Sequence, residues 1–149
     1  MTIGEVVDPV ILPVACGLAV VAILFFFWHV RRRYPSAPKV VPLQLRVDGR
    51  PGQWRSKRWL WLPPWIMTIV TALLSAIVLR VPAAMGARTV IALAFLTIAE
   101  VALFGMWQTD RQIELARKMT YRVAPARTLR ALFPILVTTA VTIVLAVRL

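Results

Sequence analysis

The chain has 149 residues, 60% of which are hydrophobic, and it carries a formal net charge of +12 at pH 7. Its longest polar stretch, residues 31–58, is too short to bury a core of its own, which argues against a water-soluble domain. The single cysteine, Cys16, excludes an internal disulfide and Cys-rich zinc or iron–sulfur sites.

The first apolar stretch covers residues 10–30 and is long enough to cross about 30 Å of hydrocarbon as an α-helix. It follows an acidic leader and ends in three consecutive arginines, which is typical of a stop-transfer sequence. We therefore expect a retained membrane anchor rather than a cleaved signal peptide. Ala15, Ala19 and Ala22 lie near one stripe of this helix, where they either admit a neighbouring helix closely or are ordinary apolar filling.

His29 is the only histidine and lies at the end of the first helix, between Trp28 and the arginines. A single histidine can serve as an axial ligand of haem or chlorophyll, so His29 is a candidate pigment ligand. A histidine at headgroup level is also compatible with a purely interfacial role. We expect the interfacial role, and we expect no cofactor.

Residues 31–58 form a basic loop that we expect to lie on the cytoplasmic membrane surface. Polar and apolar residues alternate over residues 43–48, which predicts a short strand, and Asp48-Gly49 predicts a turn. Trp favours the amphipathic boundary, and Lys and Arg meet anionic lipid at about 1 kcal/mol each, so we expect lipid contact rather than nucleic-acid binding. The residues assigned to this headgroup interface are Arg31, Arg32, Arg33, Trp54, Lys57, Arg58, Trp59 and Trp61.

The second helix is predicted over residues 59–80. Thr68, Thr71 and Ser75 recur on it at helical spacing. Hydroxyl-bearing side chains in a transmembrane helix favour contact with other helices over contact with lipid. We therefore expect this stripe to face neighbouring helices.

The third helix is predicted over residues 89–109, with a cytoplasmic extension to about residue 123, and it contains Glu100 near its middle. An acidic group at the centre of a span costs roughly 2.5–3.5 kcal/mol on insertion scales, which makes Glu100 the leading candidate for a functional residue. Three roles are open: proton or ion transfer, pairing with an Arg of another subunit, and a neutral carboxyl bonded to Thr or Ser hydroxyls of helices 2 and 4.

The fourth helix is predicted over residues 131–147, where Thr138 and Thr142 are further candidates for polar contacts between helices. Fifteen of the 18 Lys and Arg residues lie within residues 31–58 and 111–130. The positive-inside rule then places both loops in the cytoplasm and both termini outside. We predict an all-α membrane protein, a single domain over residues 1–149 with four transmembrane helices, in a bacterial plasma membrane.

The loop before the second helix resembles a known family. The stretch from Pro42 to Lys57 is similar to the small N-terminal domain of unknown function in bacterial membrane immunity proteins that guard against sporulation-delaying toxins. Gln44, Arg46 and Gly52 stand where that pattern has His, Asn and Asp. The resemblance implies a membrane protein without established catalysis that acts through protein contacts. The residues that match the pattern are Pro42, Gly49, Pro51, Trp54, Ser56 and Lys57.

The sequence contains no Ser–His–Asp set, paired carboxylates, His/Cys cluster or phosphate-binding loop, so we expect a protein that is not an enzyme. Our first expectation is an accessory or structural subunit of a larger transport or energy-transducing complex, acting through helix packing and lipid contact with other integral membrane subunits. The alternative is an immunity or sensor protein that binds a toxin or a regulator. A third possibility is a small proton or ion carrier centred on Glu100.

Overall fold

The computed structural model describes residues 3–42, 52–80, 85–118 and 125–148. The described residues are mostly helical, as predicted, and form α1 (Ile3–Arg33), α2 (Leu62–Val78), α3 (Met85–Lys118) and α4 (Pro125–Arg148). Three helical segments in this part of the chain are long and apolar enough to cross a membrane, and α4 contributes a shorter apolar segment, Leu129–Val144.

The helix ends differ from the predicted bounds where proline and local turns intervene. The second helix begins at Leu62 rather than near residue 59, because Lys57–Trp61 forms a 3-10 helix and two prolines occupy the first turn of α2. Proline is tolerated there because the first amide groups of a helix have no partner within it. The third helix is described as far as Lys118. The rest of its predicted extension, residues 119–123, lies outside the described residues.

Helices α1 and α3 run side by side in the same direction. Ala15 and Ala19 are buried against Phe95 in one apolar cluster, and Phe26 is buried with Met106 in a second cluster further along both helices. Small residues let two helix backbones approach closely. The alanine stripe of α1 is therefore a helix contact rather than simple filling.

One close contact between α1 and α3 involves a glycine. A Cβ atom built on Gly105 would lie 2.5 Å from Cε1 of Phe26, so the phenyl ring occupies the space that any larger residue would need. Phe26 itself is fully buried. The crossing of the two helices thus depends on the absence of a side chain at this position.

Helix α2 runs antiparallel to α1 and α3. Leu74 and Val78 pack on the cluster that contains Phe95, whereas Leu60 and Met67 belong to the cluster around Phe26. The end of α1, the start of α2 and the end of α3 therefore meet at one end of the bundle, and the predicted headgroup cations lie there. Helix α4 packs mainly against α3.

A short hairpin completes the basic end of the bundle. Strand β1 (Val40–Pro42) pairs antiparallel with β2 (Trp54–Ser56), and β1 packs against α3. Val41 is buried in the same cluster as Ile113 of α3. The strand predicted over residues 43–48 and its turn lie outside the described residues, so the described hairpin precedes and follows that stretch.

Candidate functional site

Glu100 lies near the middle of α3 and is joined to α4 through one of its two carboxyl oxygens. The hydroxyl oxygen of Thr138 lies 2.9 Å from Oε1 of Glu100. The same hydroxyl lies 3.1 Å from the carbonyl oxygen of Pro134. The second carboxyl oxygen, Oε2, is buried and has no hydrogen-bond partner. The carboxyl group therefore links two helices and keeps one acceptor unpaired.

The Thr138 hydroxyl has one proton for two acceptors. It therefore shares that proton between Oε1 of Glu100 and the carbonyl oxygen of Pro134, and Oε2 of Glu100 receives no hydrogen bond.

Glu100 also lines a groove of about 560 Å³ between α1, α3 and α4. Helix α3 lies between the other two helices and contributes the central part of the lining. All described lining residues other than Glu100 and Thr138 are apolar. They are Leu18, Val21, Ala22, Phe25, Leu93, Leu96, Ala99, Leu103, Val137 and Val141.

Three of the other predicted hydroxyl residues bond to carbonyl oxygens of their own helices. Thr68 donates to the carbonyl oxygen of Pro64 at 2.9 Å, Ser75 to that of Thr71 at 2.8 Å, and Thr142 to that of Thr138 at 2.8 Å. The hydroxyl of Thr71 is buried without a partner. Of the two helices expected to bond Glu100, the described contacts therefore involve α4 and not α2.

A second polar cluster ties α1 to α3 at the basic end. Nε2 of His29 lies 3.1 Å from Oδ1 of Asp110, and Nε of Arg33 lies 2.9 Å from the same oxygen. His29 thus contacts a carboxylate of the neighbouring helix. Within the described ranges no three His, Cys, Asp or Glu side chains are grouped closely enough to hold a metal ion.

The sequence did not point to Asp110, although a signal was present. His29 and Asp110 both stand at the end of an apolar stretch of transmembrane length. If helices 1 and 3 cross in the same direction, two such residues lie at the same depth. The common direction of helices 1 and 3 follows from the positive-inside rule. The rotation of each helix about its axis, which decides whether His29 and Asp110 meet, does not follow from that rule.

The predicted headgroup residues lie at this end of the bundle in two groups. Arg31, Arg32, Arg33, Trp54, Arg58 and Trp59 are exposed, and Lys57 and Trp61 are partly buried. The ammonium of Lys57 lies 4.6 Å from the ring centre of Tyr34, and the Trp61 and Tyr34 rings are 5.9 Å apart. Lys57 and Trp61 therefore help to fix the loop to Tyr34, the first residue after α1.

The family-like motif coincides with the hairpin. Pro42 and Trp54 are register partners, and Ser56 lies opposite Val40. The backbone amide of Lys57 donates to the carbonyl oxygen of Lys39 at 3.0 Å. The other two motif residues, Gly49 and Pro51, lie outside the described residues. No protein-family model, curated protein or solved structure matches this chain.

Proposed function

We propose that the chain is a non-enzymatic subunit of a larger bacterial plasma-membrane complex, in which it packs its helices against those of other integral membrane subunits. The observation that carries this proposal is an open apolar groove of about 560 Å³ between α1, α3 and α4. A helix of another subunit would fill this groove and cover its apolar lining.

The proposed arrangement is a four-helix membrane protein with the basic end in the cytoplasm and both termini outside. The three long apolar helices support insertion. The cations at the meeting point of α1, α2 and α3 support the orientation, because positive charge is retained on the cytoplasmic side. Exposed Trp54, Arg58 and Trp59 are placed to contact anionic lipid headgroups.

Large apolar surfaces on the outer helices agree with this environment. Leu73 of α2 is 61% exposed and Phe133 of α4 is 65% exposed, and both belong to rows of exposed apolar residues. A water-soluble protein rarely exposes apolar surface on this scale. Lipid and neighbouring subunits would share these faces.

The experiment that tests the proposal is purification of the native protein from its own membrane in a mild detergent, followed by identification of co-migrating proteins by mass spectrometry. We expect a stoichiometric set of other integral membrane subunits. An unrelated multi-span protein of similar abundance, purified in the same way, is the control. A protein that migrates alone or only with copies of itself contradicts the proposal.

The two other candidate functions make separate predictions. An immunity or sensor role predicts that deletion of the gene sensitises cells to a secreted peptide toxin. A proton or ion carrier predicts flux through reconstituted vesicles that is lost in Glu100→Gln. The described groove lining contains no titratable side chain other than Glu100, and a proton path needs a series of exchangeable groups, so the structure offers this third function little support.

A further inference from the structure

We propose that the polar pocket between the basic ends of α1 and α3 binds a phosphate group, and that its depth favours the headgroup of an anionic phospholipid. The pocket has a volume of about 470 Å³ and shares no lining residue with the apolar groove. The inference rests on the membrane arrangement in the proposed function, since it needs this end of the bundle at the cytoplasmic surface. Six of the lining residues are charged, namely Arg33, Asp110, Arg111, Glu114, Arg117 and Lys118.

The two acids of the pocket are paired with cations of the same lining. Oδ1 of Asp110 lies 2.9 Å from Nε of Arg33. Oε2 of Glu114 lies 2.6 Å from a guanidinium nitrogen of Arg111, and Oε1 lies 3.6 Å from Nζ of Lys118. These pairs compensate the acids and hold the cationic side chains around the pocket. An arginine has five N–H donors, so one ion pair leaves donors for a phosphate.

Arg117 supplies positive charge that no acid balances within the described part of the chain. Its Nη2 donates to the carbonyl oxygen of Ser36 at 2.9 Å, which joins α3 to the turn after α1. Because that partner is neutral, four cations face two acids and the lining keeps an excess of two positive charges. Arg117 is exposed, so an anion can reach it. Arginine–phosphate pairs are strong and frequently bidentate, which makes phosphate the anion that this lining fits best.

Two tryptophans indicate the depth of the pocket. The guanidinium carbon of Arg32 lies 5.3 Å from the ring centre of Trp28 on α1, and that of Arg111 lies 5.9 Å from the ring centre of Trp107 on α3. Tryptophan favours the boundary between hydrocarbon and headgroups. The pocket residues follow these tryptophans along both helices, whereas the groove residues precede them. In the proposed arrangement the pocket therefore lies at the level of the lipid phosphates.

Convergence from two helices separates this pocket from the other cations at the basic end. Arg31 and Arg58 are exposed and lie outside the pocket, so they would attract anionic lipid without fixing its position. Arg33 belongs to α1 and Arg117 to α3, so a phosphate between them would bridge the two helices. We therefore expect one preferred lipid per chain rather than a diffuse lipid layer.

Native mass spectrometry of the full chain in a mild non-ionic detergent tests the site. The protein is titrated with phosphatidylglycerol, and phosphatidylcholine is the reference lipid because its choline cation cancels the phosphate charge. We expect the first phosphatidylglycerol to bind about fivefold or more tightly than phosphatidylcholine. Equal affinities for the two lipids, or a series of adducts with no preferred first lipid, would overturn the inference.

Arginine variants then locate the bound lipid. Arg117→Gln removes the unbalanced charge and keeps a donor for Ser36, so we expect about fivefold weaker binding of the first phosphatidylglycerol. Arg117→Lys keeps the charge and should stay within about twofold of the unmodified protein. The matched control is Arg55→Gln, which removes an exposed cation outside the pocket and should leave the affinity unchanged. Equal losses in Arg117→Gln and Arg55→Gln would show diffuse attraction and contradict a defined site.

Glycerol 3-phosphate and inorganic phosphate distinguish a lipid from a soluble ligand. We expect neither to displace bound phosphatidylglycerol at about tenfold excess, because a lipid also contacts the protein through its acyl chains. Displacement at equal concentration would support the phosphate site and assign it to a soluble ligand. The lipid preference is measured on the unmodified protein, so it does not depend on the folding of any variant.

The outcome is separate from that of the co-purification experiment. A protein that binds phosphatidylglycerol selectively but co-purifies with no other subunit would lose the proposed function and keep the phosphate site. A protein that co-purifies with other subunits but does not distinguish the two lipids would keep the proposed function and lose the site.

Discussion

The phenyl ring of Phe26 takes the place of a side chain at Gly105, since a Cβ there would lie 2.5 Å from Cε1 of Phe26. The ring is fully buried in an apolar cluster that also contains Val30 and Met106, so its movement would disturb that cluster. This contact fixes the separation of α1 and α3 and leads to the first prediction.

Gly105→Ala should destabilise the protein by about 1–3 kcal/mol, because the added methyl group forces the Phe26 ring or the helix backbone to move. Thermal unfolding in detergent measures the effect. Gly17→Ala on α1 is the matched control, since a Cβ there meets nothing within 4 Å. We expect no loss of stability in the control. Equal melting temperatures for the two variants would contradict the close contact.

Thr71→Val should leave stability unchanged or raise it by about 1 kcal/mol, because the Thr71 hydroxyl is buried without a hydrogen-bond partner. Valine has nearly the same shape and no polar atom to desolvate. Thr109→Val is the comparison, since the buried Thr109 hydroxyl donates to the carbonyl oxygen of Gly105 at 2.8 Å. Reversible unfolding should show the Thr109 variant to be the less stable of the two. A clear destabilisation by Thr71→Val would mean that its hydroxyl is bonded after all.

Arg33 and Asp110 should show a coupling energy of about 0.2–1 kcal/mol in a double-mutant cycle. The value is modest because the Arg33 side chain is 51% exposed, so water and salt screen the ion pair. The two alanine variants and their combination are compared by unfolding at low and high salt. Arg31, which is exposed on the same helix end, provides the control pair with Asp110. A coupling that does not fall with added salt would argue against an ionic contact.

Cysteine accessibility should place Ser36 and Arg80 on opposite sides of the membrane. Both residues are exposed, and they lie at opposite ends of the bundle because α2 runs from the basic end to the other end. In a Cys16→Ser background, an impermeant maleimide added to intact cells should label Arg80→Cys and spare Ser36→Cys. Ser36→Cys should react only after the cells are opened. The reverse pattern would invert the proposed orientation.

The helices were predictable because length and hydropathy are local properties of the sequence. Residues 10–30 and 89–109 lie within α1 and α3. The ends were less predictable, because Pro63 and Pro64 are compatible with either a helix start or a preceding turn. The 3-10 helix Lys57–Trp61 follows β2 directly and packs against α1 and α2. Local sequence patterns do not predict contacts between segments that are far apart in the chain.

The candidate site was predictable in part for the same reason. Glu100 was evident from the cost of an acid at mid-span, and Thr138 was among the hydroxyls expected near it. The contact of His29 with Asp110 depends on the rotation of two helices that are far apart in the chain. The groove depends on where α1 and α4 settle on α3, and it therefore appears only in the assembled bundle.

The pairing of α1 with α3 also constrains how the protein is made. The buried face of α1, which includes Ala19 and Phe26, is completed by residues of α3 that are synthesised after all of α2. In the proposed membrane arrangement, α1 is therefore inserted before α3 exists and waits in the bilayer or against the insertion machinery. Folding then proceeds from inserted but separate helices to a packed bundle. The α1–α3 contact forms late in that sequence, and a chain that ends before Met85 cannot form it.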